Sequence, residues 1–171
     1  MLALILAALL AQSPAPPAAS PSPDRAPARL LVDGATPTPL SLTLEDLASL
    51  PRTSVTLKED GADVVYEGVR VAEILGRAGA PSGNALRGAA LTTGVVAEAK
   101  DGYRVLFTLA EFDAEFGNHD VIVADRRNGR PLFDYQGPFR LIAPRDRRGA
   151  RGVRMLTRLT VVQMSAPAAS R

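Results

Sequence analysis

The stretch Thr53-Ser-Val-Thr-Leu-Lys-Glu-Asp-Gly-Ala-Asp-Val-Val-Tyr-Glu-Gly-Val-Arg-Val-Ala-Glu-Ile-Leu-Gly-Arg-Ala78 carries two periodicities in succession. Thr53–Lys58 and Asp63–Glu67 alternate apolar with polar residues, the mark of half-buried strands. Between them Asp60-Gly61 supplies the pair that a tight hairpin turn requires. The period then changes. Val71, Ile74, Leu75 and Ala78 recur at helical spacing, which predicts an amphipathic helix over Arg70–Ala78, stopped by Gly79 and Pro81. A hairpin feeding directly into a short helix points to a mixed domain.

Working outward, Arg29–Val32 and Leu40–Leu42 read as short strands, and Thr43-Leu-Glu-Asp46 as a capping box opening a helix to Leu50. Downstream, Ala89–Lys100 is a long β-prone run that Asp101-Gly102 turns into Tyr103–Phe107. Thr108-Leu-Ala-Glu111 is a second capping box, predicting a helix that buries Leu109, Phe112 and Phe116 and ends at Gly117-Asn118. On that helix Glu111, Asp113 and Glu115 read as a solvated polar face. Val121–Ala124, Arg140–Ala143 and Thr157–Gln163 complete the strands, with a turn at Asn128-Gly129. The expected fold class is α+β, mostly β with a few short helices, in one domain over residues 28–164.

Composition narrows the chemistry. Of 171 residues 46% are hydrophobic, enough for a real core. There is no cysteine and one histidine, His119. Disulfides, thiol nucleophiles, iron–sulfur clusters and any thiolate- or multi-imidazole-held metal are excluded. No Gly-x-Ser-x-Gly elbow and no Gly-rich phosphate loop is present. His119 is a weak general-base candidate, with Asp113 or Asp120 as its partner.

The unbroken apolar run Leu2–Ala11 is shorter than the roughly 20 residues of a membrane-spanning helix. A Pro/Ala/Ser stretch, Ser13–Pro27, follows it. Residues 1–19 therefore read as a signal peptide cleaved after Ala11 or Ala19, residues 20–27 as a linker, and residues 165–171 as a flexible tail. The expected location is periplasmic or secreted, with no transmembrane helix in the mature chain.

The net charge of +2 conceals a division. Residues 1–125 hold 9 basic against 16 acidic side chains; residues 126–171 hold 11 arginines against 2 aspartates. Arg145, Arg147, Arg148, Arg151 and Arg154 fall in one short segment. Guanidinium forks suit phosphate, sulfate or carboxylate, so the segment reads as an anion site or as a solvated loop paired with the acidic first part. Without interleaved aromatics or a recognition helix, nucleic acid is not an expected partner.

Five pieces in order resemble the oxidoreductase molybdopterin-binding domain family, the sulfite-oxidase-type fold. They are Tyr66-Glu-Gly-Val-Arg-Val-Ala-Glu-Ile-Leu75, Asp101-Gly-Tyr103, Asn128-Gly-Arg-Pro-Leu132, Gly137-Pro-Phe-Arg-Leu-Ile-Ala-Pro144 and Gly149-Ala-Arg-Gly-Val-Arg-Met-Leu156. The resemblance implies a molybdenum cofactor, with one protein cysteine as a metal ligand in the segment before the Tyr-Glu-Gly-Val element. Here that segment, Val55–Val65, has no sulfur; Glu59, Asp60 and Asp63 are its only oxygen-bearing acids. The resemblance also implies that Arg151 and Arg154 help hold the pterin phosphate, with Met155 in place of the usual tryptophan. The family's dimerisation domain is not expected after the last strand. Tyr103 and Tyr135 are further ligand candidates, or else sheet tyrosines bonded to protein groups. The expected function is a non-redox binding module. Its arginine loop would hold an anionic small molecule, a pterin phosphate or an acidic protein surface. The alternative is a molybdenum-dependent oxidoreductase lacking the cysteine ligand.

Overall fold

The computed structural model describes residues 27–117 and 119–164. The expectations for a leader, linker and tail lie outside these residues, apart from Pro27. The described chain folds as two five-stranded sheets with two short helices. β1 (Leu30–Gly34), β2 (Leu40–Leu42), β5 (Thr93–Ala99), β6 (Arg104–Thr108) and β10 (Leu156–Gln163) form the first, in the order β2-β1-β10-β5-β6. β3 (Arg52–Glu59), β4 (Ala62–Arg70), β7 (Ile122–Arg127) and β8 (Arg130–Pro131) form the second, in that order, and β9 (Arg140–Ile142) also pairs with β7. β1 runs parallel to β10; the other pairings are antiparallel. The α+β, mostly β expectation is correct.

The hairpin is where the alternation places it. β3 pairs with β4 from Arg52↔Val69 to Glu59↔Ala62, and Asp60 and Gly61 both take positive φ at the turn. Asn128 and Gly129 do the same between β7 and β8. Near the end of β4, Gly68 has a steric reason. A Cβ there would lie 2.0 Å from the Val123 carbonyl oxygen, so only glycine lets β4 approach β7. One residue past β4 the chain enters α2 (Val71–Arg77), whose Val71, Ile74 and Leu75 are buried. The Val71 N–H donates to the Val121 carbonyl at 2.9 Å, tying the start of α2 to the entrance of β7. α1 (Leu44–Ala48) opens on the expected box: Thr43 Oγ1 accepts from Asp46 N–H at 3.1 Å, and Asp46 Oδ2 from Thr43 N–H at 2.8 Å. The larger core gathers α1, α2 and the first sheet; a smaller one lies around Val64, Tyr66, Ile122 and Ile142 of the second.

Two expectations are corrected. Residues Gly88–Thr92 form a 3₁₀ turn, so the strand starts at Thr93. Gly88, at φ 56, opens that turn, which takes up the first residues of the β-prone run. The second capping box opens only a single turn, Leu109–Glu111, rather than a helix reaching Phe116. Leu109 and Phe112 are buried, but Phe116 is 50% exposed. Asp113 ends the helix: its carboxylate turns inward, accepting from Gly83 N–H at 2.6 Å and Glu115 N–H at 2.8 Å. Such local side-chain bonds compete with helical hydrogen bonding. Asp113 is therefore buried, and the three acids do not form one solvated face.

Candidate functional site

Four connections meet around one cleft of about 710 Å³, within the usual range for small-molecule sites. The β3–β4 turn supplies Lys58, Glu59 and Asp60; the β5–β6 turn supplies Asp101 and Tyr103. Tyr135 and Arg140 form another wall, and the segment from Gly149 to Met155 closes it. Tyr103 OH donates to the Ala150 carbonyl at 2.6 Å, holding the β5–β6 turn against that segment.

One wall is a closed polar network. Glu59 accepts from Tyr66 OH at 2.8 Å and from Arg127 Nη2 at 2.9 Å, with Arg140 Nη2 at 3.4 Å. Tyr66 OH in turn accepts from Arg127 Nε at 3.2 Å and from Arg140 Nη1. Arg140 Nη1 also donates to Gln136 Oε1 at 2.6 Å. Burial pushes the Glu59 carboxyl up, but hydrogen bonds from Tyr66 and Arg127 and the nearby guanidinium charges outweigh it, holding Glu59 below the usual carboxylate range. Burial and the Glu59 bond push the Tyr66 phenol up. Arg140 is 9% exposed, and its Nε–H is buried without a partner among the described residues. Such a donor is costly unless something accepts from it.

The five loop arginines separate. Arg145 reaches Asp120 and the Gly117 carbonyl, both at 3.4 Å. Arg147 and Arg148 are exposed and make no ion pair among the described residues. Arg151 is half-buried and held by the protein's own carboxylates: Nε and Nη2 donate to Asp146 at 2.8 and 2.7 Å, and Nη1 donates to Glu111 Oε1 at 2.8 Å. Its guanidinium also lies 4.4 Å from the centre of the Phe107 ring. The Asp146 and Glu111 hydrogen bonds raise its pKa further. Only Arg154 of the five lines the cleft. It is exposed, packs 5.3 Å from the Tyr135 ring centre, and has no carboxylate partner among the described residues.

His119 does not reach the cleft. Its Nδ1 lies 3.6 Å from Glu111 Oε1, so its acidic neighbour is neither Asp113 nor Asp120. Tyr103 and Tyr135 are exposed cleft residues rather than buried sheet tyrosines. Of the acids in Val55–Val65, Asp63 pairs with Lys58 at 2.9 Å and Glu59 is held in its network. Among the described residues no three His, Cys, Asp or Glu side chains are placed to hold a metal ion. The donor set therefore does not fit a metal held by a protein thiolate. Among the cleft's arginines the exposed Arg154 is the one whose fork has the chemistry to meet a phosphate.

Sequence reasoning missed the Glu59–Tyr66–Arg127–Arg140 network. The signal was present in Phe139-Arg-Leu-Ile142, where one arginine interrupts an apolar run. A charge in a buried strand demands partners.

The profile of the family described as oxidoreductase molybdopterin binding domain matches residues 18–169. The chain belongs to that family. Among solved structures, the fold is similar to the sulfane dehydrogenase SoxCD from Paracoccus pantotrophus, with a TM-score of 0.64 at 23% identity. That alignment covers 80% of this chain and 38% of that one, so this chain spans well under half of the neighbour's length. No curated protein matches the chain. Among the described residues no helix is long and apolar enough to cross a membrane.

Proposed function

We propose that this chain is a non-redox anion-binding module of its family, holding a pterin phosphate or a similar phosphate-bearing molecule in the cleft, in a periplasmic or secreted location. The observation that carries this is the contrast between two residues of one cleft. Glu59, in the segment that resembles the family's metal-ligating element, is consumed by Tyr66, Arg127 and Arg140. Arg154, in the segment that resembles the phosphate-holding element, has no carboxylate partner among the described residues. The metal end is closed by the protein's own ion pairs, while the phosphate end keeps an open fork. Glu59, Asp60 and Asp101 line the same cleft, beside Lys58 and Arg140. Arg151 takes the role of anchor: it fixes the loop that presents Arg154.

An acidic protein surface at the exposed Arg147 and Arg148 is a coarser version of the same electrostatics. The molybdenum-dependent oxidoreductase reading is favoured by family membership and by the roomy cleft. It requires a metal with no thiolate from this chain.

The test is thermal unfolding with inorganic phosphate. A ligand at about 100 times its Kd stabilises by about 2.7 kcal/mol, which is roughly 5–10 °C in Tm for a chain of this size. Arg154→Ala should abolish the rise. No rise in the wild-type chain, or an equal rise in the variant, overturns the reading.

A further inference from the structure

β3 is the longest edge strand among the described residues. Its eight residues border the second sheet, bonded to β4 on one side only. The other edges are short: β2 has three residues, β6 five, β8 two and β9 three. Long edges are commonly blunted by proline, a bulge or charge. β3 holds no proline, and its register with β4 is unbroken from Arg52↔Val69 to Glu59↔Ala62. The phase of its free backbone groups follows from β4. Val65 donates its N–H to Asn128 Oδ1 at 2.9 Å and accepts from Asn128 N–H at 2.8 Å, so both groups point toward β7. Thr56 stands opposite Val65, so its own N–H and C=O point away from β4, as do those of Ser54 and Lys58. The smaller core is also open at this edge. Val55 and Leu57 are only half-buried, while Tyr66 and Val64 opposite them are buried.

We infer that β3 is a self-pairing edge: two copies of this chain join β3 to β3, antiparallel about a two-fold axis through Thr56, into one continuous sheet. Outward groups on the even-numbered residues leave two central registers. With Val55 on the axis, Arg52 would face the partner's Lys58, like charge against like, and Thr53 would face the partner's Leu57. With Thr56 on the axis, Arg52 faces the partner's Asp60, Ser54 faces the partner's Lys58, and Val55 faces the partner's Leu57. The second register matches charge and sets apolar beside apolar on both sides of the axis. It leaves the pairs within each chain in place, Arg52 with Asp125 and Lys58 with Asp63. It also covers Val55 and Leu57, closing the smaller core at its open side. A contact one strand deep is small beside a standard interface, so the dimer is weak and forms at high concentration. Lys58, Glu59 and Asp60 line the first cleft as well, which places the partner's Arg52 at that cleft's rim. The inference is independent of what the cleft binds.

The experiment is sedimentation velocity of the full chain over a concentration series reaching about 1 mM, the weak end of specific association. A monomer–dimer equilibrium is expected. Thr56→Pro removes the N–H at the centre of the pairing and no bond within the chain, and an edge strand tolerates proline where the lost N–H faces outward. It should weaken the dimer at least about tenfold and leave thermal unfolding of the dilute chain near wild type. The chain has no cysteine, so a single introduced thiol reports the register. Thr56→Cys meets its own copy across a bonded pair, with Cα atoms about 5.5 Å apart, within disulfide reach. Ser54→Cys stands four positions from its own copy, about 13 Å away, and should not cross-link under the same mild oxidation. A monomer at every concentration, a dimer that survives Thr56→Pro, or cross-linking of Ser54→Cys as fast as Thr56→Cys overturns the inference.

Discussion

Replacing Arg151 by alanine separates a loop anchor from a ligand contact. Its guanidinium makes a two-pronged bond to Asp146, a third bond to Glu111 and a contact with the Phe107 ring. The Arg151 side chain is 33% exposed and its partners about 20%, so each ion pair is worth far less than a fully buried one. About 1 kcal/mol for the Asp146 fork, somewhat less for Glu111 and roughly 0.5–1 kcal/mol for the ring give a total of about 2 kcal/mol. Thermal unfolding followed by circular dichroism at pH 7 should then show Tm lowered by roughly 4–8 °C. The phosphate-induced rise should be reduced but not abolished in Arg151→Ala, because Arg151 anchors the segment that carries Arg154 without itself lining the cleft. Arg154→Ala should do the reverse: little change without ligand, and no phosphate response. The pH dependence has a definite sign. Burial pushes the Glu111 carboxyl up, but bonds from Arg151 and the Thr108 N–H hold it below the usual range. A depressed carboxyl contributes stability that is present above its unfolded value of about 4.3 and lost as pH falls through the folded value. The difference between wild type and Arg151→Ala should therefore shrink as pH is lowered from 6 toward 3. A Tm within 1 °C of wild type at pH 7, or a gap unchanged in acid, would refute the anchoring role.

Three other outcomes follow from the packing. Gly68→Ala forces a methyl group against the Val123 carbonyl and should cost about 3 kcal/mol or more, read as a lower urea midpoint. Tyr66→Phe removes the hydroxyl between Glu59 and two arginines, adding unmet hydrogen bonds beside the orphaned Arg140 Nε–H, and should cost about 1–3 kcal/mol in the same assay. Phe116→Ala, at a half-exposed position, should change stability by no more than about 0.5 kcal/mol, where a buried helix face would have lost several.

The fold was legible wherever local chemistry and period agreed. The Asp60-Gly61 and Asn128-Gly129 turns, the α1 capping box and the α2 stripe each follow from a few adjacent residues. The segment after Thr108 misled because its outcome depends on a distant group. Asp113 is drawn inward by the Gly83 N–H, 30 positions away, and no local pattern reports that bond. The site shows the same division. Whether the arginine segment faces a cleft or solvent was not readable from the sequence, and neither was which guanidinium remains open. Arg151 and Arg154 are two residues apart in one motif. Yet Glu111 and Asp146 take the first, while the second turns to Tyr135. Pairings across the fold decide between them. Arg140 was detectable in principle, as a charge inside an apolar strand, but its partners Glu59 and Tyr66 come from the other side of the same sheet.

The central claim is that this member of a molybdopterin-binding family keeps the anion end of the cleft and has closed the metal end. Metal and pterin content answers it most directly, measured on the full chain purified from a host that makes the molybdenum cofactor. The expected result is molybdenum far below one atom per chain, with any released pterin displaced by phosphate. One molybdenum per chain, retained through purification alongside stoichiometric pterin, would contradict it.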